Sequence, residues 1–509
     1  MTVCDTDTRT QGAPRDFLLP GHNCWRICQT RELAVVIDGA AYFRALREAM
    51  IAAREQVLLI GWDFDLEIEL LPGESDENGI APDGYPNELQ AFFEAIAAER
   101  PELRIYLLRW TGSLVLAPGR LVPMAKLSVL GSDRIQAALD GRHPVGACHH
   151  QKIVVVDDQL AFCGGIDSTA GRWDTPDHRS GDPRRRLRNG AEAIPWHDVT
   201  TALTGETARA LGALARTRWE RATGQALAVP EVRDTALWPA ALEVTAQNVT
   251  TAIARTEPPE QDRPVVNEIE AMLARSIEAA QSLIYLESQY FASEAVAEAL
   301  GKRLEEPDGP DVVVINPQRA QGVVEDAAMH REREGLVADL SARDRYDRFR
   351  IWTPVNATGD EIYVHAKVCV IDDWLLRVGS SNINSRSMAF DTECDVAMIG
   401  ENAATRRIIA GVRNRLAAEH LGVSPELLAQ ECARLGSLVP AMDALNRQRG
   451  RGLRRLEPKE ENLLADIVAQ SRVFDPRYDE DAVARRGVTS RHIAIGVGLA
   501  VAAYLLWRL

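Results

Sequence analysis

The chain is short of positive charge. Lys and Arg number 58 against 74 Asp and Glu, a net charge of −16 at pH 7. That balance argues against a general nucleic-acid binder, which usually carries a basic excess, so no nucleic-acid partner is expected. A disulfide framework is also missing: the eight cysteines stand at 4, 24, 28, 148, 163, 369, 394 and 432 without paired spacing. Several lie in apolar runs where free Cys packs as a small hydrophobe, which fits a reducing, cytoplasmic setting. His22, Cys24 and Cys28 lack a second ligand pair at zinc spacing, and no metal is expected there. Met1 to Pro20 holds no apolar core of a secretory signal. A Walker-type loop, a Gly-x-Ser-x-Gly elbow and a His-Glu-x-x-His pair are all absent, and the enzyme classes built on them fit poorly.

What is present is a phrase written twice. His150-Gln151-Lys152-Ile153-Val154-Val155-Val156-Asp157 returns as His365-Ala366-Lys367-Val368-Cys369-Val370-Ile371-Asp372, both reading His-x-Lys-x-x-x-x-Asp. A small-residue turn follows each copy: Gly164-Gly165-Ile166-Asp167, then Gly379-Ser380-Ser381-Asn382. The apolar, β-branched run between Lys and Asp predicts a buried strand, so each His and its Lys share a face and set an imidazole beside an ammonium. Each Asp opens an Asp-Asp turn, and a turn or capping carboxylate stands beside a catalytic role for it.

The repeat extends past the signatures. In the first half a strand is expected over Leu33–Ile37, a helix over Gly39–Arg54, a strand over Gln56–Ile60, a helix over Asn87–Glu99 and a strand over Leu103–Arg109. Asp76–Tyr85, acidic and rich in Gly and Pro, is expected as a loop. The second half follows with a helix over Glu268–Ala280 and strands over Ser282–Leu286 and Asp311–Asn316. Ile51–Phe64 overlays Ile277–Tyr290 with Val57 on Leu283 and Ile60 on Leu286, and the halves close with helices Thr207–Arg221 and Ala403–His420. Alternating strands and helices predict α/β lobes. At 509 residues, 46% of them hydrophobic, the chain can bury two cores. The expected parts are a leader (1–30), a first lobe (31–232), a second lobe (233–425), a helical linker segment (426–487) and an apolar terminal anchor (488–509), with the lobe boundary between Gly224 and Pro239.

Two stretches fall outside the repeat. Gly171 to Pro195 carries Arg172, Arg179, Arg184, Arg185, Arg186 and Arg188, expected as a positive collar that draws phosphate groups to the cleft. Ile493–Trp507 has no charged residue and is preceded by Arg485, Arg486 and Arg491. It is short against the ~20 residues of a membrane helix, but His492–Leu509 with a snorkelling terminal Arg comes close. It is expected to anchor the protein, with the upstream arginines keeping the body on the cytoplasmic side.

The double His-x-Lys-x-x-x-x-Asp with its Gly-Ser-x-Asn sequel resembles the phospholipase D superfamily. The second copy fits that signature throughout; the first departs by reading Gly-Gly-Ile-Asp. The resemblance implies two α/β sandwich lobes related by a pseudo-twofold axis, both signatures meeting in one cleft, and a phospholipid substrate. It implies His150 as nucleophile and His365 as acid and base, with Lys152 and Lys367 on the phosphate and Asn382, Asp167 and Ser380 at its rim. Two imidazoles and two ammoniums supply nucleophile, proton donor and positive charge for phosphodiester cleavage with no cofactor or metal.

Each imidazole also needs a partner on its other nitrogen. Glu393 is the candidate for His365 and Asp198 for His150, with an ordinary strand-edge carboxylate as the alternative for either. His149 and His197 are expected in packing or supporting roles. Hydrolysis to phosphatidic acid is the leading reading; phosphatidyl transfer of the cardiolipin synthase kind, a nuclease and a tethered scaffold with a dead site are the others.

Overall fold

The structure, a computed structural model, describes residue 14 and residues 16–112, 133–144, 146–187, 189–231, 237–260, 263–319 and 323–456, with side chains of the last stretch from 331. The strands of the first half are β1 (Arg26–Ile37), β2 (Gln56–Gly61), β3 (Arg104–Trp110), β4 (Ile135–Asp140), β5 (Ile153–Val156), β6 (Leu160–Gly164), β7 (Trp196–His197) and β8 (Val199–Gly205). Those of the second are β9 (Ala246–Glu257), β10 (Val266–Asn267), β11 (Leu283–Glu287), β12 (Asp311–Ile315), β13 (Phe349–Val355), β14 (Tyr363–Val364), β15 (Val368–Ile371), β16 (Leu375–Gly379), β17 (Glu393–Ile399) and β18 (Gly452–Arg455).

One mixed sheet of 16 strands carries nearly all of them. From its centre outward the first half runs β1-β8-β6-β5-β2-β3-β4 and the second runs β9-β17-β16-β15-β11-β12-β13, so the halves repeat one strand order. They join where β1 pairs with β9 antiparallel, Arg26 opposite Ile253. The α/β class follows from burial on both faces. In β2, Leu58 and Ile60 enter a core with Leu211, Leu214 and Trp219 of helix Glu206–Thr223, while Val57 and Leu59 enter one with Phe43, Leu46 and Met50 of helix Gly39–Ala52. The first of these cores continues under the second half through Ile409 and Leu416 of helix Ala403–Leu421. A third core lies under the second half and takes in Phe17 and Cys24 from the segment before β1.

Three expectations need correction. β1 begins at Arg26, inside the expected leader, because its first residues pair with β9 and make the seam. The overlay of the halves is displaced by one residue: Val57 faces Val156 and Ile284 faces Ile371, so Val57 matches Ile284 rather than Leu283. Apolar runs of equal length cannot fix register by themselves; paired partners do. Helices Pro425–Leu435 and Leu438–Leu445 and strand β18, which extends the sheet beyond β13, belong to the folded body. Among the described residues no helix is long and apolar enough to cross a membrane, and the apolar segment 493–507 lies outside them, as does Arg188.

Candidate active site

The segment before each signature crosses to the other half. β14 pairs in parallel with β7, and His149 bridges to Thr392. The backbone amide of His150 therefore donates to the Thr392 carbonyl at 2.9 Å, and that of His365 to the His197 carbonyl at 2.8 Å. In each case the next residue of the partner strand is a carboxylate.

That crossing reverses the expected pairing. His150 Nδ1 lies 3.0 Å from Glu393 Oε1, and His365 Nδ1 lies 2.7 Å from Asp198 Oδ2. The two acids do occupy matched positions, since Gly164 faces Thr200 as Gly379 faces Asp395, but each serves the imidazole of the opposite half. His150 Nδ1 is also 3.0 Å from the Ser380 carbonyl oxygen, which can only accept. Nδ1 therefore carries the proton, and Nε2 is left as a bare nucleophilic nitrogen. Burial, with the Lys152 and Lys367 charges, holds the His150 imidazole well below its usual range, and burial with Lys367 and Arg172 does the same to His365. Burial pushes Glu393 up to about 8 and Lys367 down to about 7.

The lysines differ in company. Lys152 Nζ pairs with Asp167 Oδ2 at 3.2 Å, whereas Lys367 Nζ reaches the neutral Gln289 Oε1 at 3.4 Å. Asn382, matched to Asp167, is buried with an Oδ1 that has no hydrogen-bond partner. Ser380 is drawn off the phosphate rim where it was expected: its hydroxyl donates to Glu393 and accepts from the Cys394 amide. The first copy has Gly at this place because a Cβ on Gly165 would lie 2.1 Å from Asp198 Oδ1. The departure from Gly-Ser-x-Asn thus makes room for the Asp198 carboxylate.

Asp157 and Asp372 leave the catalytic set. Each sits at the far end of its strand, where Asp157 accepts the amides of Arg54, Glu55 and Gln56 and Asp372 those of Gln281, Ser282 and Leu283. Three amides on one carboxylate satisfy it and pin the start of β2 or β11. The arginine collar is thinned, with Arg179 and Arg186 left exposed on its loop. Arg185 is buried against Asp174, Arg184 pairs with Asp182, and only Arg172, lying over the Trp196 ring at 3.9 Å, bears on His365.

Sequence reasoning missed Gln289, the Trp196 ring 5.0 Å from His365, and Ser387, whose hydroxyl donates to Glu393. Gln289 carried a signal, standing just after β11 in the Glu-Ser-Gln-Tyr-Phe stretch. It also missed a buried group behind Asp198 in which Asp38, His178, His197 and Glu419 face one another, a set able to hold a metal ion. His149 supports Thr392, its Nδ1 2.9 Å from that hydroxyl.

Comparison with known proteins covers both signatures. Residues 133–298 match the family model described as phospholipase D, and residues 273–410 the one described as cardiolipin synthase, PLD-like domain. Phospholipase D A of Dictyostelium discoideum is 23% identical over 77% of this chain and 36% of its own length. Phospholipase D alpha 1 of Carica papaya is 24% identical over 54% of this chain and 49% of its own length. The chain thus spans half or less of the length of these relatives. Among solved structures, the phosphatidylserine synthase of Haemophilus influenzae Rd KW20 matches at 12% identity with a TM-score of 0.48, covering 80% of this chain and 95% of that one. The chain belongs to the phospholipase D superfamily.

Proposed function

We propose that the protein is a phosphodiesterase of the phospholipase D type that hydrolyses phospholipids to phosphatidic acid and a free head group. The observation that carries this reading is the crossed pair of imidazoles, each fixed at Nδ1 by the other half's carboxylate and each subject to the charge of Lys367. In the first step His150 Nε2 attacks phosphorus, an N–P bond forms, and the P–O bond to the head group breaks. His365 gives its proton to the departing oxygen. In the second step His365 takes a proton from water, whose oxygen attacks phosphorus and releases His150.

His365 must be charged for the first step, although burial and the Lys367 and Arg172 cations hold it neutral in the free protein. A bound phosphodiester anion opposes those cations and returns the proton to it. Lys152, Lys367 and Asn382 are the groups assigned to the phosphate oxygens. The apolar stretch Ile493–Trp507 would hold this body at the cytoplasmic face of the membrane.

The test is incubation of the purified full chain with mixed phospholipids, with and without a primary alcohol, and product analysis by mass. Phosphatidic acid in water supports hydrolysis. Phosphatidyl-alcohol or cardiolipin as the dominant product would move the assignment to a transferase, the chemistry named for the family model over residues 273–410. No product from any phospholipid sinks the proposal. Membrane fractionation of the full chain against one ending at residue 487 tests the anchor, which fails if both sediment alike.

A further inference from the structure

Next to Asp198, whose amide donates to Asp38 Oδ1 at 3.3 Å, four donor groups converge in the buried interior. His197 Nδ1 lies 3.2 Å from Asp38 Oδ1 and 3.1 Å from Glu419 Oε1, and His178 Nε2 lies 3.3 Å from Glu419 Oε1 and 3.7 Å from Asp38 Oδ2. Asp38, His178 and His197 are fully buried, and Glu419 is nearly so. The outward nitrogens are already committed: His178 Nδ1 is 3.0 Å from Asp174 Oδ2, and His197 Nε2 is 2.9 Å from Glu287 Oε2. Both partners are carboxylates, which take one imidazole N–H each and turn the second nitrogen of each ring toward Asp38 and Glu419. The inward nitrogens meet only carboxylate oxygens, so either a second proton on each ring or a cation stands between them. Asp38 Oδ2 has no hydrogen-bond partner at all.

Charge leads to the same gap. Asp38, Asp174, Glu287 and Glu419 bring four negative charges into this region, and Arg185 on Asp174 returns one positive charge. Burying that excess is costly unless positive charge sits between the donors. Their spacings fit an ion: a tetrahedral centre with bonds of about 2.0–2.1 Å sets its donors about 3.3–3.4 Å apart. Two of the four, Asp38 at φ 66° and His178 at φ 45°, stand in the left-handed region, where backbone strain marks a position held for its side chain.

We propose that Asp38, His178, His197 and Glu419 form a binding site for a divalent transition ion of the zinc class. Two imidazoles and two carboxylates suit such an ion, whereas calcium and magnesium favour oxygen donors alone. The carboxylates on the outward nitrogens orient the rings as the outer partners of metal-bound histidines do. Three ligands come from the first half, and Glu419 comes from helix Ala403–Leu421 of the second, so the ion ties the halves together one residue from Asp198. Its role is to position, since none of its ligands touches the phosphate site.

The test is elemental analysis of the untagged full chain after equilibration with Zn2+ and removal of loose metal, followed by Co2+ substitution read by visible absorption. About one ion per chain, tetrahedral Co2+ bands, and at least a tenfold loss of bound metal in both Glu419→Gln and His178→Ala are expected, with added Zn2+ raising the melting temperature of the wild type alone. A metal-free wild type, or equal metal in the variants, overturns the proposal and leaves two protonated imidazoles as the charge that fills the gap. Should neither variant fold, the wild-type Co2+ spectrum decides, and octahedral bands or none overturn it.

Discussion

The two half-sites share a scaffold and differ in charge. His150 is the more open imidazole, its side chain 16% exposed against 6% for His365, and its lysine is neutralised by Asp167. His365 lies under Trp196 beside Arg172, and its lysine meets two neutral oxygens, those of the Gln289 side chain and the His365 backbone. One half therefore presents a neutral nitrogen next to a contact ion pair, and the other gathers Lys367 and Arg172 around the single carboxylate of Asp198. In the proposed mechanism a phosphate anion would be drawn to the second and attacked from the first. The crossed backbone is common to both halves; the side chains around it set them apart.

The largest effect separates the two imidazoles. His150→Ala should abolish turnover of every phosphodiester. His365→Ala should lower lipid turnover by about 10²–10⁴, yet keep a stoichiometric burst from a diester with a nitrophenolate leaving group, which departs without a proton. Quenched-flow measurement of that burst in both variants is decisive. A burst in His150→Ala and none in His365→Ala would exchange the roles.

The orienting carboxylates come next. Glu393→Gln and Asp198→Asn should each lower kcat by on the order of 10³–10⁴ if the ring loses its tautomer and orientation, as in the serine-protease triad. They should part on stability. Glu393 keeps its proton up to about 8 in the fold against 4.5 as the ordinary value, so the native state holds more protons across that window and stability falls as pH rises through it. Glu393→Gln removes that slope and should be the more stable protein at pH 8, by on the order of 1–3 kcal/mol in denaturant titration. An unchanged slope would show that Glu393 is ionised throughout.

Lys367 provides the third test. Burial brings it to about 7 from 10.5, so its charge is lost as pH rises through neutrality, and kcat/KM should decline above about pH 7. Lys367→Arg keeps its charge at all these pH values and should abolish the decline, whatever it costs in absolute rate. A wild-type profile flat to pH 9 would remove Lys367 from the phosphate.

Much of this was legible in the chain itself. The doubled signature marked His150, Lys152, His365 and Lys367, and the repeated strand order marked Glu393 and Asp198 at matched places, although the loop after Gly171 makes the interval from His150 to Asp198 longer than that from His365 to Glu393. Which acid meets which imidazole was not legible. That depends on β14 lying beside β7 across the halves, a contact between segments far apart in sequence that no local pattern records. Arg184 and Arg185 left the expected collar for the same reason: their charges read as free until the fold supplies Asp182 and Asp174. His178 and Glu419 carried no spacing signal at all, being 241 residues apart.

The smallest effect probes the residue after the turn glycine, where the halves differ most simply. Ser380→Gly removes one of two hydroxyls from Glu393, and the Ser387 hydroxyl, 2.7 Å from the other oxygen, remains. One hydrogen bond of about 1 kcal/mol corresponds to about a fivefold loss in kcat. The reverse change is not its mirror image. Gly165→Ser would set a Cβ 2.1 Å from Asp198 Oδ1, so the carboxylate must swing away from His365, and the loss should approach that of Asp198→Asn. Equal small losses from both substitutions would mean that Asp198 can shift without cost, and that the glycine in the first half is no adaptation to it.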